Sequence, residues 1–245
     1  MAATSSPGIA GGLTKTVRVA RLTETLVICG IFFTKFAKKG KAMFLNALLA
    51  CLLALAAVPV HAQSPAVAGA RRTVDLLNNT LIEVMRNADR LRYQGRYKKL
   101  EPVVKEVFQF EGVAQIALGS HWKKLDQAQK VTFIGVLTNL SIATYAAQFN
   151  SFTGEKFEFE AAEEPKPERV TLRYVMSAPN EKPIKFEYVV NQFEGKWEII
   201  NIIVDGISDL ALKKAQYTSV IDREGFDKLV VKLNQKVADY AKNNK

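Results

Sequence analysis

The stretch "VTFIGVLTNLSIATYAAQFNSFTG", residues 131–154, holds no Asp, Glu, Lys or Arg in a chain where those types make up 24% of the residues. It is long enough to cross a bilayer, which takes about 20 apolar residues. Its composition argues otherwise: Thr132, Thr138, Asn139, Ser141, Thr144, Gln148 and Asn150 interrupt the run, and the flanks lack the basic asymmetry of a membrane span. Read at helical spacing, Val131, Ile134, Leu137 or Thr138, Ser141, Tyr145 and Gln148 or Phe149 form one stripe, and Phe133, Val136, Leu140, Ala143 and Ala147 form another. A helix apolar most of the way round is expected to be buried most of the way round. Two readings stay open: a helix enclosed in the core, and one packed on a sheet on one side while facing an apolar cavity on another. Gly135, Ser141, Ala143, Ala146 and Ala147 favour the cavity, because they leave room where a plain core would use Leu.

From Glu155 onward the period changes to two. "KFEFE", "RVTLRYVM" and "IKFEYVV" alternate, aligning Val170, Leu172, Tyr174 and Met176 on one face and Ile184, Phe186, Tyr188 and Val190 on another. "EEPKPE", "APNEKP" and "FEGK" supply turns, and "WEIINIIV" reads as a fourth strand with both faces partly covered. The tail from Asp205 gives two helices broken near Gly225. Ahead of the uncharged helix, the spacing predicts an amphipathic helix from about Arg72 to Tyr93, punctuation at Gly95, and a second helix with Pro102 near its first turn. A short helix stopping at Gly119 comes next, with Asp126 as N-cap of the long one. The fold class is α+β: a curved four-stranded antiparallel sheet, NTF2-like, packed with helices and leaving an apolar pocket between them.

The first 62 residues read as a leader. "MFLNALLACLLALAAVPVHA" joins an apolar core to Pro59 and to Val60-His61-Ala62, with Lys35, Lys38, Lys39 and Lys41 ahead of it, the pattern of a secretory signal cut after Ala62. Translation from Met1 with a long leader and translation from Met43 both remain open. Leu48-Leu49-Ala50-Cys51 partly matches a lipobox, but the sequence stays apolar after Cys51, so the cysteine reads as a small residue of the signal core. Residues 63–70 read as a linker and 71–245 as a single domain.

Removing the leader changes the available chemistry. Both cysteines, Cys29 and Cys51, go with it, and only His121 of the two histidines remains. The leader holds seven of the 34 basic residues and one of the 24 acidic ones, leaving 27 against 23, so the basic pI is largely a leader property. Nucleic-acid binding loses its support. The remaining chain has no thiol, no Gly-x-Ser-x-Gly turn, no Gly-rich phosphate loop and no metal-ligand spacing, which argues against an enzyme and against any cofactor or metal. His121 beside Trp122 reads as a locally packed helix-end residue, and Asp205 and Asp209 as caps of the helix that follows.

Four blocks, "FEGVAQIALGSHW", "TYAAQFNSFTGEKFEF", "GKWEIINIIVDGISDLALKKAQYTSVI" and "EGFDKLVVKLNQK", resemble the MlaC or toluene-tolerance family over roughly residues 72–240. "DGISDLALKKAQYTSVI" is most similar to the hopanoid-associated HpnM branch. Where many members carry an Arg-containing block ending Gly-Arg-Tyr-Trp, this chain has Gln115 and Gly119-Ser120-His121-Trp122, which favours that branch. The resemblance implies a periplasmic carrier that shields a phospholipid or hopanoid-type lipid and passes it between inner- and outer-membrane lipid-transport complexes, with transient membrane contact. An adaptor with a filled core, binding only protein partners, is the rival from another class.

For a carrier, the two periodicities place Leu137, Ser141 and Tyr145 on the cavity side of the uncharged helix, with Phe149 and Phe152 at its end. Tyr174, Met176, Phe186 and Tyr188 then stand opposite on the sheet. Lys213 and Lys214, an adjacent pair beside acidic neighbours, are candidates for docking an acidic partner or an anionic membrane; a solvated helix face is the plainer reading. The leader reading is checked by N-terminal sequencing of exported protein, which should begin near Gln63; intact residues ahead of Met43 would overturn it.

Overall fold

The computed structural model describes residues 64–244; the leader, its cleavage point after Ala62, Cys29 and Cys51 lie outside them. Ser64 accepts a hydrogen bond from Val67 N at 3.1 Å and Pro65 takes the first turn, so helix α1 runs Pro65–Arg86. The helix expected from Arg72 thus begins at Pro65, and most of the expected linker at 63–70 is its first turns. Composition misled here for a physical reason: Gly69 has no side chain because Trp197 lies on it. A Cβ at Gly69 would stand 2.5 Å from the indole ring, and Ala70 is fully buried.

Helix α2 (Ala88–Val107) is broken at Arg92, whose φ of 51° and ψ of −177° cost a non-glycine residue on the order of 1–3 kcal/mol. Gly95, the expected break, is helical, and Pro102 stands well inside α2 instead of in its first turn. Arg96 accounts for the placement of the break. Its guanidinium is buried and donates from Nε to Ala146 O at 2.8 Å and from Nη1 to Ala88 O at 3.2 Å, tying α2 to the end of a distant helix. Burial pulls its pKa down, with Tyr93 and Asp89 opposing.

Helix α3 (Phe110–Leu118) stops at Gly119, at φ 54°, as expected, and a 3-10 turn (Gly119–Lys124) leads to α4 (Gln127–Gln148). Asp126 caps α4 through Gln129 N at 2.8 Å, and Gln129 Oε1 accepts from Asp126 N at 3.1 Å. Although α4 is long and apolar enough by length and composition to cross a membrane, half of its apolar window is buried against the rest of the chain. It is not enclosed all round: Val131 is 60% exposed and nothing lies within 4 Å of a Cβ placed at Gly135.

Strands β1 (Lys156–Lys166), β2 (Arg169–Ser177), β3 (Ile184–Phe193) and β4 (Lys196–Val204) form the expected antiparallel meander, and a two-residue β5 (Ile207–Ser208) adds a fifth strand that the sequence pattern did not reveal. Pro165, expected in a turn, continues β1, which an edge strand tolerates. A bulge in β4, where Val189 pairs with Asn201 but Val190 pairs with Ile199, lets both Ile199 and Ile200 be buried. Gln109 N donates to Ile199 O at 3.1 Å, joining the start of α3 to the sheet.

Helices α5 (Asp209–Glu224) and α6 (Phe226–Asn243) meet at Gly225, φ 87°. The cap of α5 is Ser208, which accepts from Ala211 N at 3.1 Å. Asp205 is no helix cap; it stands in the turn between β4 and β5, where its Oδ1 accepts from Lys185 N of β3 at 3.0 Å.

Replacing Arg96 with Met should lower unfolding free energy by about 2 kcal/mol or more, because it orphans two buried carbonyls. The urea midpoint measures this, and an unchanged midpoint would show that the guanidinium does not hold the break.

Candidate functional site

One face of the sheet carries a run of aromatic rings. Phe159 and Tyr174, Tyr174 and Tyr188, and Phe157 and Phe186 meet edge to face at centroid separations of 5.5, 5.6 and 5.4 Å. Helix α1 covers one part of this face. Arg71 lies 4.1 Å over the Phe159 ring, the Tyr174 hydroxyl donates to Asp75 Oδ1 at 2.6 Å, and the Tyr188 hydroxyl donates to Asn78 Oδ1 at 2.7 Å. Beyond that line the rings stop packing against helix and face open space.

The space is a cavity of about 410 Å³. Its sheet wall is Phe186 and Tyr188 of β3 with Ile202 and Val204 of β4, and Leu77 and Leu81 of α1 close one end. Phe108 and Phe110, their rings stacked at 5.5 Å, form a second wall with Val113. Helix α4 contributes Leu140, Ser141, Thr144, Tyr145 and Gln148, and Phe149 follows it. Helices α5 and α6 supply the mixed rim: Asp209, Leu212, Lys213, Gln216, Lys236 and Tyr240.

Polar atoms on α4 do not make that wall hydrophilic. Ser141 Oγ donates to Leu137 O at 2.9 Å and Thr144 Oγ1 to Leu140 O at 2.8 Å, so both hydroxyl protons are used inside the helix. The tyrosines are likewise uncharged. Burial pushes the hydroxyls of Tyr145, Tyr188 and Tyr217 far up, and Asp209 adds to the shift at Tyr145 and Tyr217. At the rim an ion pair joins Lys213 to Asp209, an i,i+4 pair on α5.

Of the residues expected to line a cavity, Ser141, Tyr145, Phe149, Phe186 and Tyr188 do so. Four others do not. Leu137 is fully buried in the core, and Tyr174 is covered by α1 through its bond to Asp75. Met176 pairs across the sheet with Phe157 of β1, away from the cavity, and Phe152 is 37% exposed with the Arg86 guanidinium 5.0 Å from its ring. Lys213 and Lys214 are neighbours in sequence yet separate in space: Lys213 lines the rim, and Lys214 is exposed beside Gly119, whose Cβ would stand 3.4 Å from Lys214 Cε. Periodicity missed the contributions of α1, α3, α5 and α6, because an apolar stripe gives no sign of which neighbour it meets. The short apolar "FQF" at 108–110 was the available signal.

Catalytic chemistry finds little here. His121 Nε2 lies 3.1 Å from Asp222 Oδ1, joining the 3-10 turn to α5 and not lining the cavity. Among the described residues no three His, Cys, Asp or Glu gather as a metal site.

Residues 76–235 match the MlaC protein family. Among solved structures, the phospholipid-binding protein from Ralstonia solanacearum, determined in complex with a phospholipid, shares this fold at a TM-score of 0.62 and 21% sequence identity. The match covers 70% of this chain and 98% of that one.

Two tryptophan substitutions separate cavity from core. Leu137→Trp should destabilise by about 1–3 kcal/mol or more, as overpacking does, while Ser141→Trp fills empty space and should change stability by less than about 1 kcal/mol. Chemical denaturation measures both, and equal destabilisation would mean that the cavity is absent in solution.

Proposed function

The chain belongs to the MlaC protein family, and from that premise we propose that it is a non-catalytic periplasmic lipid carrier, exported by the signal at 1–62 and working through the single domain that follows. The observation that carries the reading is the 410 Å³ cavity, walled by rings and aliphatic side chains of sheet and helices. A related fold that holds a phospholipid supports it. The ligand is a phospholipid or, if the chain stands in the hopanoid-associated branch, a hopanoid-type lipid. The cargo passes between inner- and outer-membrane complexes, and Lys214, exposed and away from the cavity, is the candidate for docking an acidic partner.

Uptake needs no charged contact. Each buried methylene contributes about 0.8 kcal/mol, so a chain of roughly ten already competes with the cost of ordering it. The rival reading, an adaptor with a filled core, does not account for apolar side chains facing empty space.

Protein purified from cells should show a lipid adduct in native mass spectrometry, retained in EDTA, and Ser141→Trp should lower the bound fraction several-fold while the protein stays folded. A parent chain that carries no lipid and takes none up from vesicles would defeat the carrier reading.

A further inference from the structure

One row of side chains crosses the aromatic face of the sheet, since Tyr174 pairs with Phe186, Phe186 with Val204 and Val204 with Ile207. Residues paired across antiparallel strands point to the same face. The row starts under α1 at Tyr174, 2% exposed, runs along the cavity wall as Phe186 and Val204, and ends bare at Ile207, 59% exposed. Leu212 of α5 also lines the cavity and is 50% exposed. From Phe186 outward the row holds no polar residue. Single exposed aliphatic side chains are ordinary, but two that extend a cavity wall into solvent form a contiguous apolar lip.

Charge around the lip is slightly positive. Lys156, Lys182 and Lys185 are exposed at this end of the sheet, and none has a carboxylate within ion-pair distance among the described residues. Glu181 and Asp205 oppose them, while Asp209 is matched by Lys213, so three cations stand against two carboxylates.

Resting on the carrier reading, we propose that Ile207 and Leu212 form the edge by which the protein docks on a lipid bilayer, with the β4–β5 turn and the first turn of α5 at the headgroup boundary. Both side chains leave water there, as interfacial anchors do, and the basic surround favours an anionic leaflet. An acyl chain drawn from the bilayer meets Ile207, Val204 and Phe186 in turn. It reaches the cavity without crossing water.

The test uses exported protein stripped of lipid, vesicles of phosphatidylcholine and phosphatidylglycerol in equal parts, and lysophosphatidylglycerol kept monomeric, which reaches the cavity without a bilayer. Flotation reads docking, and native mass spectrometry reads loading from each source. Ile207 is outside the cavity lining. Ile207→Asp should therefore lower the vesicle-bound fraction about ten-fold or more and slow loading from vesicles to match, while lysolipid loading stays as in the parent. Ile207→Trp should dock at least as well as the parent, and Lys156→Glu with Lys182→Glu should weaken docking several-fold. Thermal unfolding checks that each variant is folded, and Ile207→Ser serves if Ile207→Asp is not. Docking unchanged by the substitution of Ile207, or a parent that takes up lysolipid yet never floats with vesicles, overturns the docking edge and leaves the carrier reading standing. Loss of lysolipid loading in a folded Ile207 variant would make that residue part of the cargo groove and overturn the edge equally. A parent that takes lipid from neither source overturns both.

Discussion

The hydroxyl of Tyr188, donated to Asn78 Oδ1 at 2.7 Å, stands where packed core turns into cavity. One side of that ring belongs to the contact of α1 with the sheet, and the residue also lines the open space. Together with the bond from Tyr174 to Asp75, it holds α1 over one part of the aromatic face. The remainder of the aromatic face must then be roofed by α4, α5 and α6. Of these, α5 packs against β4, and the 410 Å³ between helices and sheet stays unfilled. A cavity of this kind is costly, since its lining forgoes dispersion contacts that a filled core would make.

Helix α4 shows how a wall can carry hydroxyl groups and still stay apolar toward a cavity. Thr138, Ser141 and Thr144 would each be a polar liability against hydrocarbon if their protons pointed outward. Instead they donate to the carbonyls four residues earlier, at 2.8 to 2.9 Å. What remains toward the cavity is small and weakly polar, with room for a chain. The absence of Asp, Glu, Lys and Arg from 131–154 therefore reflects burial on one side and an apolar cavity on another, without any need for a bilayer.

Arg96 is the counterpart at the far end of α4. A buried guanidinium without a carboxylate partner is expensive, and it persists here because it satisfies Ala146 O at the end of α4 and Ala88 O beside the Arg92 break. The bent α2 leads through Phe108 and Phe110 onto β4 at Ile199, placing two rings of the cavity wall. A strained backbone residue and a buried cation thus stand behind the geometry of an apolar surface.

Periodicity alone determined the order of helices and strands, the long uncharged helix with its Asp126 cap, the stop at Gly119, the break at Gly225 and the meander of four long strands, because these follow from spacing, capping and turn chemistry within a few residues. It also placed Ser141 and Tyr145 on one face of α4, and Phe186 and Tyr188 on one face of β3. Tertiary structure alone decided which part of each face was covered. Tyr174 and Tyr188 share a pattern in the sequence, yet α1 covers the first and leaves the second at the cavity edge. Lys213 and Lys214 read as a pair, yet a helix turns by 100° per residue and sends one to the rim and the other to the surface. The first turns of α1 read as a linker because only the folded chain brings Trp197 onto Gly69. Local spacing tells a side chain's direction; what stands in that direction depends on residues a hundred positions away.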